Sequence, residues 1–437
     1  MTNNSYKYYV KELLNIALPI IMGNLGFILI GAGDVLIAGR HSTDTLAAIS
    51  IATAISNCIM TFGIGLIASV SPILSNFRGE KKSAKKYFFP TIRFAMILAV
   101  ITMVLVLACV PAIDWLNFDQ KLVPDIKDYM IITAFSTFGA YLHAALKEYL
   151  QAFEIVLFPN LVTVFCVFLN IALNILLVFG WGPVPALGAI GLAIASFTVR
   201  YVMGFALLIY CFREMSFRDY EDKSYYKSLL HVGLPISLAV LVEFVAFNIT
   251  AILMGRISGV YAAAQNLVCT LTTISFMVPL AISNAIAVKV GFANGAGNYF
   301  DLKKYAKIGT FLCVAFMTFS AVIFASFPDV LVGLFTKDPV LIKIGIPVLY
   351  VMAVFQIFDG LQVALAGIFK GIKKTKIVLI SNFVGYWLIS IPAGSLLAFH
   401  FGYNLIGFWY GLLSAAIILC CMMILMLRVY FKRMTSN

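Results

Sequence analysis

Charge is scarce in this chain. Charged residues make up 11% of its 437 positions, whereas a soluble domain carries about 25%. A single soluble core does not explain so deep a deficit, but a chain whose solvent is mostly lipid does. The strict alternation of apolar and polar residues that marks barrel strands is also missing, which leaves helices as the spanning structure. Signatures of chemistry are absent too. There is no GxSxG, no HExxH and no GxxxxGK[ST], so neither an enzyme nor an ATP-driven pump is expected from this chain alone. The eight cysteines form no CxxC or CxxH set. They read as small apolar packing residues, with no zinc site and no disulfide. A cleavable leader is not expected, because the first apolar run is too long for one and no small-residue cleavage site follows it.

What is present is apolar sequence in long runs. A helix that crosses a bilayer needs about 20 predominantly apolar residues. Leu13 to Ala38 is one such run, with a single acid. Met96 to Ile113 and Ile155 to Val199 hold no charge at all, and the latter is long enough for two spans with a turn at Gly180–Pro185. Twelve spans are expected, at 13–38, 46–74, 87–113, 129–153, 156–179, 187–211, 229–254, 260–288, 305–327, 341–369, 377–399 and 404–427. The fold class is therefore an all-α polytopic membrane protein. The net charge of +12 sits mostly on one side of it. The termini and the loops after even-numbered spans carry residues such as Arg78, Lys81, Lys85, Arg213, Arg218, Lys303, Lys373 and Arg433. The opposite loops carry far fewer. The positive-inside bias then puts both termini in the cytoplasm of a cell-membrane protein. It also accounts for the basic balance without any nucleic-acid partner.

An internal repeat organises the chain. LLNIALPI at 13–20 matches LLHVGLPI at 229–236, an offset of 216. At that offset Gly39–Arg40 pairs with Gly255–Arg256, Gly79 with Gly295, and Gly191 with Gly407. Each half holds six spans, so both enter the membrane the same way round. Residues 1–212 form one expected lobe and 229–437 the other, joined by a hydrophilic linker at 213–228. Two lobes related by a pseudo-two-fold axis along the membrane normal are an arrangement transporters use for alternating access. Pro19, Pro235, Pro279 and Pro392 lie within or near the starts of spans, where each allows a bend.

An ionisable residue at bilayer depth is a functional candidate by default. Asp34 falls in span one, Glu243 in span seven and Asp359 in span ten. Asp34 has a structural alternative, an ion pair with Arg40. No Lys or Arg inside a second-half span is expected to neutralise Glu243 or Asp359, and two such acids suit a metal cation, a proton or a cationic substrate. Asn170 and Asn174 lie one helical turn apart. They suit either a cation site or helix–helix glue. Glu148, Glu154 and Lys147 read as an interfacial charge cluster.

NIALPIIMGNLGF and GDVLIAGRHSTDTLAAIS in the first half resemble the opening of a multidrug and toxic compound extrusion (MATE) transporter. LLHVGLPISLAVLVEF, MVPLAISNAIAVKVG and DGLQVALAGIFKGIKKTK in the second half are similar to the same family, and Glu243 with Asp359 to its NorM-like branch. The resemblance covers essentially the whole chain. It implies twelve helices in two lobes around a V-shaped cavity, and efflux of organic cations in exchange for Na+ or H+, with no cofactor. It implies cation-binding roles for Asp34, Asn170, Asn174 and Ser196 in the first lobe. In the second it implies them for Glu243 and Asp359, with Na+ a candidate metal at those two acids. Asp34, Glu243, Phe355 and Asp359 would face the substrate cavity. Phe355 departs from the family pattern, which often has Tyr there, so a hydroxyl is lost. The partners implied are small organic cations, the coupling ion and the bilayer, with no obligatory protein partner. The competing expectation is a flippase or exporter of lipid-linked glycans from the same superfamily. Such a protein would line its cavity with several basic residues. Here only Arg93 and Arg200 qualify, both placed near cytoplasmic ends.

Overall fold

The computed structural model describes residues 5–181, 183, 185–214 and 222–435. Arg218, with the rest of residues 215–221 in the 213–228 linker, and residues 182 and 184 of the turn near 180–185 lie outside the described residues. Twelve helices among the described residues are long and apolar enough to cross a membrane. In chain order these are α1 Tyr6–His41, α2 Thr43–Gly79, α3 Ala84–Leu116, α4 Val123–Ala152, α5 Leu157–Phe179, α6 Gly188–Phe212, α7 Lys223–Ile257, α8 Gly259–Gly295, α9 Tyr299–Ser326, α10 Pro339–Gly371, α11 Thr375–His400 and α12 Asn404–Met434. Most outrun the apolar stretches that announce them. α1 has 36 residues and so spans about 54 Å at 1.5 Å per residue. A hydrocarbon core is only about 30 Å thick. Hydropathy marks the lipid-facing stretch, whereas backbone hydrogen bonding carries the helix on through polar turns such as Tyr6–Glu12.

Apolar surface here faces outward as well as inward. α3 has a mean hydropathy of 2.8, yet only 28% of its apolar window is buried. Phe165 and Phe168 on α5 are 65% and 68% exposed. In water such surface would be a liability, but in lipid it is ordinary.

The repeat persists at the helix starts. α2 and α8, α4 and α10, and α6 and α12 each begin 216 residues apart. Ser42 and Ser258, also 216 apart, are both extended N-caps. The Ser42 hydroxyl accepts from the Thr45 amide at 2.9 Å and the Ser258 hydroxyl from the Val260 amide at 3.3 Å. Each satisfies an amide that the first turn leaves unpaired.

The chain divides into two compact units, and the divisions fall beside Pro19 and Pro235. One unit is Leu18–Ser237. Its core packs Leu66, Val70, Tyr141, Leu146, Tyr149 and Leu207 from α2, α4 and α6. α4 and α6 cross at Gly139, where a Cβ would lie 2.7 Å from the Tyr201 amide nitrogen. Only glycine permits that approach. The first turns of α7 belong to this unit. Tyr225 bonds Thr91 at 2.7 Å, and the Tyr87 hydroxyl donates to Asp222 at 3.0 Å.

The other unit joins Met1–Ala17 to Leu238–Asn437. Here the polar first turns of α1 are anchored. Tyr9 donates to Asp301 at 2.6 Å, and Glu12 forms an ion pair with the buried Lys289 of α8. Lys289 therefore lies inside a spanning helix of the second half, contrary to the expectation of no such base. Its charge is committed to Glu12. α11 is irregular: Phe383–Ser390 and Leu396–His400 are π-helical. Pro392 cannot donate to the carbonyl one turn before it, which loosens the α pattern there.

Candidate functional site

Two polar clusters stand inside the spans, one in each unit. In the Leu18–Ser237 unit, α1 presents Asp34, α5 presents Asn170 and Asn174, and α6 presents Ser196. Asp34 Oδ1 accepts from Asn174 Nδ2 at 2.6 Å, and Oδ2 accepts from Ser196 Oγ at 3.1 Å. Asn174 Nδ2 also reaches Asn170 Oδ1 at 3.1 Å. All four residues expected in the first half are thus brought together. The helical spacing of the two asparagines puts both on one face, so that one can hold the other. Asp34 makes no ion pair with Arg40 among the described residues, and amide and hydroxyl donors hold it instead. Asn170 Nδ2 and Asn174 Oδ1 remain buried without hydrogen-bond partners. A buried acceptor and donor left over beside a carboxylate can serve a cation and its ligands.

Sequence reasoning missed two members of this cluster. Tyr129 of α4 is 4% exposed and contacts Ser196. From sequence it looks like an aromatic at a span's edge. Arg200 was expected near a cytoplasmic end. It stands instead near the middle of α6, one turn beyond Ser196, and donates to Ser136 Oγ at 2.6 Å. Polar partners at depth hold the guanidinium there in place of snorkelling to the interface.

In the other unit, Glu243 of α7 and Asp359 of α10 lie close enough for their charges to act on each other. Asp359 is 3% exposed and carries no hydrogen bond among the described residues. Glu243 has a long contact, 3.4 Å, from Asn382 Nδ2. Asn382, Gln362 and Tyr386 complete the cluster. Gln362 and Tyr386 exchange hydrogen bonds at 3.2 and 3.3 Å, and Tyr386 lies beside Glu243. These three were not singled out from sequence, though the repeat offers a signal: Tyr386 is 216 residues after Asn170. Tyr386 also brings a phenol to a site where Phe355 has none. Phe355 itself is buried and stands edge-on to Trp409, with ring centroids 5.6 Å apart.

Two of the charges read as an interfacial cluster, Glu154 and Lys147, have the following neighbours. Arg78 pairs with Glu154 at 3.5 Å, and Lys147 lies over the Phe27 ring at 5.4 Å. No group of three or more His, Cys, Asp or Glu residues with metal-ligand geometry occurs among the described residues.

Twelve spans, a parallel repeat and, in each unit, a polar cluster that includes an acid within the spans define a polytopic transporter of the MATE fold. The MatE family model matches residues 19–176 and 235–396, and the chain belongs to that family. It is 30% identical over 442 residues to a probable multidrug resistance protein NorM of Rhizobium meliloti, covering 96% of this chain and 94% of that one. Among solved structures, a mutant of the Vibrio cholerae MATE transporter VcmN superposes with a TM-score of 0.91 at 19% identity, over 99% and 98% of the two chains. The eukaryotic MATE transporter AtDTX14 gives 0.88 at 19% identity, over 99% of each.

Proposed function

We propose that this protein is a secondary multidrug exporter of the cell membrane, moving organic cations outward in exchange for Na+ or H+. Asp359 carries the reading. It is a buried carboxylate with a second carboxylate near it and no hydrogen-bond donor or paired base of its own. Two such acids in a medium of low dielectric repel each other and lack the hydration they had in water. A cation or a proton relieves both penalties. That is the property a coupling ion needs, since it drives a cycle only by binding one conformation more tightly than another.

In this reading Glu243 and Asp359 take the coupling ion. Asp34, Asn170, Asn174 and Ser196 form the second cation-binding cluster, and Phe355 lies on the substrate path. The moving parts are the repeat halves, 1–212 and 229–437, with 213–228 as a cytoplasmic linker and both termini cytoplasmic. A lipid-linked glycan flippase finds less support. Arg200 does stand at depth, but Asp34 opposes its charge, so it offers no free basic surface for a pyrophosphate.

Purified protein in liposomes tests the reading directly. Uptake of a cationic dye is expected under an imposed Na+ gradient or an imposed pH gradient, and only in the direction opposite to the ion. Dye movement indifferent to both gradients would reject the antiport reading.

A further inference from the structure

Arg200 lies one helical turn from Ser196, which with Asn174 donates to Asp34. Its surroundings fix it in place. Nη1 donates to Ser136 Oγ at 2.6 Å and approaches Met60 Sδ at 3.7 Å. Ser136 gives its own proton to the Thr133 carbonyl at 2.7 Å, so its oxygen is free to accept from the guanidinium. The backbone is held as well, because a Cβ on Gly139 would lie 2.8 Å from the Arg200 carbonyl carbon. A guanidinium has five N–H donors, and both contacts use the same nitrogen. The acidic charge that acts on it is that of Asp34, and Tyr129 feels both charges while contacting Ser196.

A guanidinium remains charged throughout the physiological range. With Asp34 ionised, the first-half cluster is therefore electrically neutral before any ligand arrives. The second-half cluster holds two carboxylates, and the base whose charge reaches it, Lys370, acts on Glu243 from the last turn of α10. The two clusters present different electrostatics to an incoming cation.

We propose that Arg200 is the resident countercharge of Asp34 and sets the charge selectivity of the first-half site. It holds the site neutral when empty and favours singly charged over doubly charged organic cations. Arg200 acts here through Asp34, so it is a positioning residue. A cation that approaches Asp34 shares the carboxylate with Arg200 instead of meeting a bare negative charge, so binding is weaker and release faster. The inference rests on the reading of the protein as an exporter of organic cations.

The test uses the full chain in proteoliposomes. Two probes are compared, the monocation tetraphenylphosphonium and the dication methyl viologen, and the readout is the ratio of their KM values. Arg200→Gln is expected to lower the dication-to-monocation ratio at least fivefold, with kcat for the tightened dication falling as release slows. Arg200→Lys keeps the charge and is expected to hold the ratio within twofold of wild type. Asp34→Asn is expected to raise both KM values tenfold or more, and Asp34→Asn/Arg200→Gln to regain at least fivefold of that loss. A ratio unmoved in Arg200→Gln, or moved as far in Arg200→Lys, would overturn the proposal. Should Arg200→Gln fail to assemble, the comparison of Asp34→Asn with the double variant decides, and no regain overturns it. Wild-type protein that takes up neither probe refutes the exporter reading itself, and this inference with it.

Discussion

Replacing Glu12 and replacing Lys289 remove the same ion pair, yet the two changes are expected to differ in cost. The Lys289 side chain is 7% exposed and that of Glu12 is 28% exposed. Glu12→Gln takes the carboxylate away from an ammonium that stays nearly dry, with the Tyr305 ring, 6.0 Å away, among its other neighbours. Stranding one partner of a buried pair costs about 3–5 kcal/mol, and the lower end applies because water reaches the Glu12 side. Lys289→Met strands a carboxylate that can hydrate, so its cost falls toward the exposed-pair value of about 1 kcal/mol. The double variant strands nothing and is expected near the same 1 kcal/mol loss, because an apolar replacement of a buried pair is often close to neutral. The double variant should therefore be more stable than Glu12→Gln by about 2 kcal/mol. Tryptophan fluorescence of the detergent-solubilised protein against temperature reads the order. At about 2–4 °C per kcal/mol for domains of this size, Glu12→Gln should melt well below the other two. Equal losses in the two single variants, or a double variant that is merely the sum of both, would refute the reasoning.

Glu243→Gln and Asp359→Asn are each expected to cut gradient-driven dye efflux at least tenfold at matched protein level. The double variant should be little worse than either, since both acids serve one ion; wild-type efflux in both single variants would make these acids structural. A single cysteine at position 6 or 434, in a background without native cysteines, should react with an impermeant maleimide only when the inner membrane face is open. Labelling of intact cells would reverse the topology. Gly139→Val is expected to destabilise by about 1–3 kcal/mol through overpacking, and also to alter dye KM, because the displaced backbone includes Arg200. A variant with wild-type melting and KM would show the α4–α6 crossing to be looser than described.

The spans were legible because hydropathy measures the solvent each stretch prefers, and lipid leaves a clear mark on composition. The repeat was legible because one offset survives from the first span to the sixth of each half, and Ser42 and Ser258 show it reaching individual caps. Helix ends were not legible: Tyr6–Glu12 is polar, and what keeps it helical is its packing on Lys289 and Tyr305. Within the clusters, Asp34, Glu243 and Asp359 announced themselves as charges in apolar surroundings. Tyr129, Asn382 and Tyr386 did not, because neutral polar residues are common in spanning helices and their meaning depends on what crosses nearby. Arg200 was visible but misplaced. Sequence position alone suggested a side chain reaching for the interface, and the partners that keep it at depth come from α2 and α4.

The π turns of α11 leave slack in that helix. A π turn holds more residues than an α turn, and α11 is longer than its counterpart α5, 26 residues against 23. Yet Gly191 and Gly407 beyond them keep the offset of 216, because the connection after α11 is shorter than the one after α5. The two helices are thus unequally tolerant of length change. Deleting one residue within Phe383–Ser390 can be absorbed by tightening a π turn into an α turn, rotating Tyr386 relative to Glu243 while the helix stays whole. The same deletion early in α5 has no such reserve and would turn Asn170 and Asn174 together by about 100° relative to Asp34.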